Sequence, residues 1–66
     1  MRKTRAHAIW DDAMFLLGHE RLGEHYRTGF SGPRSLYQTM KRMWVRDRRG
    51  YLGAMAAARA PAKDAA

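Results

Sequence analysis

Cysteine is absent from the 66-residue chain, which removes disulfides and thiolate-held zinc and leaves the redox compartment open. Acidic residues are scarce. Six face thirteen Lys and Arg, a formal net charge of +7 with the histidines neutral, so partners of negative charge are favoured over positive ones. Proline occurs twice, at Pro33 and Pro61, and only the first falls where it can organise a helix. No apolar run approaches the roughly 20 residues needed to span a bilayer. The opening "MRKTRAHAIW" has the charged start of a secretory signal, but Asp11 and Asp12 interrupt the apolar run that should follow. We therefore expect a soluble, cytoplasmic protein. A chain this short buries a small fraction of its unfolded surface. With disulfides excluded, support from a partner or from self-association becomes the expected remedy.

The positive charge is unevenly placed. Residues 1–30 carry five Arg and Lys against four acids, a balance of +1, and residues 31–66 carry eight against two, a balance of +6. Ten of the thirteen basic residues are Arg, the side chain suited to bidentate pairing with phosphate or carboxylate.

The pattern is helical throughout, with no alternation of the kind strands require. It predicts an all-α domain of two or three helices over 1–60, followed by a frayed tail over 61–66. The first helix is expected over about 5–28, with Gly18 as a point where it can break. Between Arg5 and Leu17, the residues Ala6, Trp10, Ala13, Met14 and Leu17 share a sector, while Ile9, Phe15 and Leu16 point elsewhere. That segment is apolar nearly all round and should need cover on more than one side. Gly29 is placed for a left-handed cap with Phe30 folding back on the last turn, and Pro33 fits the first position of the next helix.

From Pro33 the periodicity is clearest. Leu36, Tyr37, Met40, Met43, Trp44, Tyr51, Ala54, Met55 and Ala58 fall within a sector of about 120°. This predicts a basic amphipathic helix over about 33–49, which the pattern allows to continue to 60. Gly50 and Gly53 weaken it, and the sequence does not decide whether the helix passes through them. Arg34, Lys41, Arg42, Arg46, Arg48 and Arg49 occupy the remaining surface and are the candidate contacts to a partner or to phosphate. Asp47 breaks the rule. Its helical angle lies among Met43, Trp44 and Tyr51, so it is expected as a buried carboxylate paired with Arg21, Arg27 or an Arg of a neighbouring subunit, or hydrogen-bonded to Tyr or Trp, because burying it unpaired is costly. The alternative is a specificity device at an interface, selecting a cationic partner group. The candidate apolar interface comprises Trp10, Met14, Phe15, Leu17, Met40, Trp44 and Tyr51.

Signals for chemistry are lacking. In "HERLGEH", Glu20 and Glu24 share a helical face, but His19 and His25 are six apart and point away from each other. Neither Glu-x-x-His nor His-Glu-x-x-His occurs, and His7 with Asp11 would need further ligands, so no metal or other cofactor is expected. Ser31 and Ser35 sit at a turn and helix start where capping accounts for them. No enzymatic activity and no catalytic residue is expected. The first functional reading is a small basic interaction protein, an accessory or regulatory subunit docking on a larger acidic protein or on itself as an oligomer. The alternative is nucleic-acid binding through the Arg-rich helix over 34–49, an arrangement loosely like a helix-turn-helix. An anionic membrane surface is the third reading.

Overall fold

A computed structural model describes residues 2–60, and these form four helices: α1 (Lys3–Leu17), α2 (Gly23–Gly29), α3 (Pro33–Arg46) and α4 (Arg48–Arg59). Among the described residues there is no strand. The all-α class holds, with both expected helices divided in two. The tail expected over 61–66 lies outside the described residues.

The first division falls at Gly18. Its backbone N–H closes α1 on the Met14 carbonyl and the His19 N–H on the Leu16 carbonyl, and the His19 side chain then organises the turn. The His19 Nδ1 accepts the backbone N–H groups of Arg21 and Leu22, both at 3.1 Å, while Nε2 faces the Ala58 carbonyl at 3.2 Å. A carbonyl can only accept, so Nε2 carries the proton and His19 ties the α1–α2 turn to the end of α4. Gly23 is buried where α2 approaches α1: a Cβ there would meet the Leu17 carbonyl oxygen at 2.7 Å. Arg27 Nη1 donates to that same carbonyl at 2.6 Å, satisfying one of the acceptors that the end of α1 leaves open.

Gly29 does not form the expected left-handed cap, because no described residue has φ in the left-handed region. Phe30 nevertheless stacks on Tyr26, with ring centres 6.3 Å apart, and that contact supplies the fold-back. Pro33 begins α3 as expected, while the capping expected of Ser31 and Ser35 is absent, since Gly32 precedes α3 without a side-chain cap.

The second division falls at Asp47, not at either glycine. Asp47 closes α3 through its N–H to the Met43 carbonyl, and its side chain accepts the Gly50 N–H at 3.0 Å to cap α4. The expectation of a buried Asp47 is therefore corrected: the residue is exposed and pairs with neither Arg21 nor Arg27. The wheel assumed one continuous helix, whereas Asp47 is the non-helical residue between α3 and α4, so its angle on the wheel does not describe where its side chain points. A Cβ at Gly50 would collide with the capping carboxylate of Asp47 in this arrangement, so a side chain there would require that carboxylate to turn. We predict that Asp47→Ala costs about 1 kcal/mol, the usual worth of an N-cap, measured by thermal melting. A loss of about 3 kcal/mol or more would instead indicate a buried ion pair.

α1 and α3 run antiparallel, with Trp10 on Tyr37 and Arg5 on Trp44, and α4 returns alongside both. One core joins Ile9, Ala13 and Leu16 of α1, Leu36 and Met40 of α3, and Tyr51, Met55 and Ala58 of α4. The buried face of α1 is rotated roughly 80° from the expected sector on helix geometry. Ile9 is fully enclosed and Trp10 is 37% exposed.

Candidate functional site

The chain's own core absorbs much of the expected apolar interface. Met40 and Tyr51 are buried, and Met14, Phe15, Leu17 and Trp44 pack partly buried against the core. Arg59 covers the Phe15 ring at 4.2 Å. Only Trp10 of the seven is exposed, and it is held edge-on against Tyr37, with centroids 5.3 Å apart.

Asp12, an acid that sequence reasoning gave no role, links α1 to α4. It accepts the Tyr51 hydroxyl at 2.7 Å and Arg59 Nη2 at 2.6 Å. Burial, followed by the hydrogen bond and negative charge of Asp12, raises the Tyr51 phenol well above its ordinary range, against smaller opposing effects of Arg5 and Arg59. Nothing local in the sequence marks this pairing, because Asp12 and Tyr51 are 39 residues apart.

Away from the core lies a surface of another kind. Three shallow depressions join along α3: one carries Lys3, His7, Trp10, Arg34 and Tyr37 and reaches Gln38, the next runs from Gln38 past Lys41 and Arg42 to Val45 and Arg46, and the last joins Val45 to Arg2, Arg5, Trp44 and Arg48. No acidic residue lines any of them. The structure thus brings together Arg34, Lys41, Arg42, Arg46 and Arg48 of the six expected contacts, and it leaves Arg49 off this surface although exposed. It adds Arg2, Lys3 and Arg5. The signal for these three was present in "MRKTR", which reads as a signal-like start until the fold lays α1 beside α3.

Electrostatics reinforce the clustering. α1 has no acid at its start, so Lys3 and Arg5 sit at the positive end of a helix dipole, where cations are unfavourable, whereas Arg48 and Arg49 begin α4 beside its capping carboxylate, Asp47. Arg5 and Arg48 both lie over Trp44, at 4.0 and 4.9 Å from the ring centre, which brings those two helix starts together at one end of α3. Lys41 lies over Tyr37 at 5.0 Å. Among the described residues the ion pairs are Arg59 with Asp12 and, when the histidine is protonated, His7 with Asp11. Arg34, Arg42 and Arg46 have no acidic partner among the described residues.

Among the described residues no three His, Cys, Asp or Glu side chains converge as a metal site would require. Among them, too, no helix is long and apolar enough to cross a membrane. Comparison with known proteins finds no matching family model, and no curated protein or solved structure resembles the chain closely enough to count as a match.

Proposed function

We propose that this chain is a small, non-enzymatic docking protein, an accessory or regulatory component that engages an acidic macromolecule through the cationic surface of α1 and α3. The observation that carries this reading is the continuity of that surface: eight Arg and Lys side chains, from Arg2 to Arg48, line joined depressions that contain no carboxylate. A solvated helix face of ordinary composition would intersperse the two signs. Here Lys3 and Arg5 also sit at the start of α1 with no acid to offset them, and a bound polyanion would reverse that cost.

The expected result is salt-dependent binding to a labelled heparin oligosaccharide, weakening steeply between about 50 and 200 mM salt as counterion release requires. Replacing Arg34, Arg42 and Arg46 with Gln should flatten the logarithmic salt dependence by roughly one unit per cation removed. Binding that ignores salt, or that survives the triple replacement unchanged, would remove this surface from the function.

Self-association is a second reading, favoured by the exposure of Met43 and Leu52. Met43 borders an apolar notch of about 110 Å³ lined also by Tyr26, Phe30, Met40 and Met55.

A further inference from the structure

The exposed face of α3 is built differently from the faces proteins offer to one another. Gln38, Arg42 and Val45 lie within about 60° on the helix, opposite Leu36 and Met40, so they form its crest. All three are exposed, Val45 to 76%. Arg34 and Lys41 flank the crest toward α1, and Arg46 flanks it on the other side. The helix has 14 residues, a length of about 21 Å. Along its α1 side run Arg2, Lys3 and Arg5, which line the neighbouring depressions.

We propose that α3 enters the major groove of duplex DNA, with Gln38, Arg42 and Val45 against the base edges and the flanking cations on the phosphates. This rests on the docking reading above and names its partner. The major groove is about 12 Å wide and admits a single helix with its side chains. Gln offers a paired donor and acceptor that matches adenine, Arg offers paired donors that match guanine, and an exposed Val methyl suits the thymine methyl group.

Four competing surfaces fit less well. The centre of a protein interface is depleted of charged residues and holds large apolar anchors, whereas this crest holds Arg42 and only one small apolar side chain. A helix lying in a membrane interface needs bulky apolar residues pointing outward. Here Leu36 and Met40 point into the core. Duplex RNA has a major groove too narrow and deep for side chains to read. Single strands require a succession of open aromatic platforms, but Trp44 has Arg5 and Arg48 over its ring and Tyr37 has Lys41, which leaves Trp10 as the one exposed aromatic lining these depressions.

The test is fluorescence anisotropy with a 20-base-pair mixed-sequence DNA duplex, the matching RNA duplex, the single strand and polyglutamate, each over a range of salt. Val45→Glu is compared with Ala57→Glu, which makes the same charge change at an exposed position on α4 that lines none of the three depressions; circular dichroism verifies that both variants fold. We expect the DNA duplex to bind tightest, Val45→Glu to lose about tenfold or more, the range of a base-edge contact, and Ala57→Glu to lose less than about threefold by distance and screening. Equal losses in the two variants, or equal binding of all four polyanions, would overturn groove entry and leave the docking reading standing. Preference for RNA, single strands or polyglutamate would overturn DNA as the partner. Failure to bind any of the four at low salt would overturn both readings.

Discussion

Ile9→Ala is expected to destabilise the protein by about 2–5 kcal/mol, the range for emptying a closed site of a large aliphatic side chain. Ile9 is fully enclosed among residues of the common core, so the vacated volume opens where α1 meets its neighbours. A domain of this size starts with little stability to lose. The variant should therefore be largely unfolded at physiological temperature, with urea titration followed by circular dichroism as the measurement. The informative comparison is Trp10→Ala. On the sequence wheel Trp10 belongs to the core and Ile9 does not; in the structure Trp10 is 37% exposed and gives up mainly its edge contact with Tyr37. A larger loss for Trp10→Ala than for Ile9→Ala would show that α1 packs in the phase of the wheel.

Asp12→Ala carries the second large effect, through the pairing of α1 with α4. Removing the carboxylate leaves the buried Tyr51 hydroxyl without its acceptor, a loss of about 1–3 kcal/mol. The Arg59 pair adds little, because its guanidinium side chain is 47% exposed and solvent screens it. At about 4–8 °C per kcal/mol for small domains, the melting temperature should fall by roughly 10 °C. The same site predicts an alkaline sensitivity. The folded phenol ionises above its ordinary value, so Tyr51 contributes stability that is fully present below the unfolded value, about pH 10. That contribution is lost as pH rises toward the higher folded value. Melting temperature should therefore drop from about pH 10 upward. Tyr51→Phe should show a shallower drop, since Phe cannot ionise. Superimposable alkaline profiles for the two proteins would mean that Tyr51 titrates freely in the folded state.

Some of the fold was legible because its causes are local. Pro33 marked a helix start, Gly18 marked a break, and Leu36, Met40, Tyr51, Met55 and Ala58 of the predicted apolar stripe are buried in the core, although Met43 and Ala54 of the same stripe are exposed. The junction at Asp47 was illegible for a specific reason. A carboxylate at that angle looks like a buried charge on an unbroken helix, and it becomes a cap only once the helix turns there. Two glycines close by drew attention to the wrong positions, although Gly50 matters precisely to the extent that it leaves room for that cap. In α1 the phase was illegible because apolar residues surround the helix. The wheel then placed Trp10 in the apolar sector and Ile9 outside it, and the outcome fell instead to which side α3 and α4 approach.

The candidate site divides along the same line. Composition and spacing alone determined that the chain is helical, that its positive charge is unbalanced, and that Arg34, Lys41, Arg42 and Arg46 point away from the apolar stripe, since these follow from a 100° step per residue. Tertiary structure decided that Arg2, Lys3 and Arg5 join them, that Arg49 does not line that surface, and that Asp12 serves Tyr51 and Arg59 instead of neutralising the surface. Each of those outcomes depends on residues far apart in the chain meeting across helices, as Arg5 meets Trp44 and Asp12 meets Tyr51. A periodicity within one helix carries no record of which helix lies beside it, because its phase is set only when a neighbour is chosen.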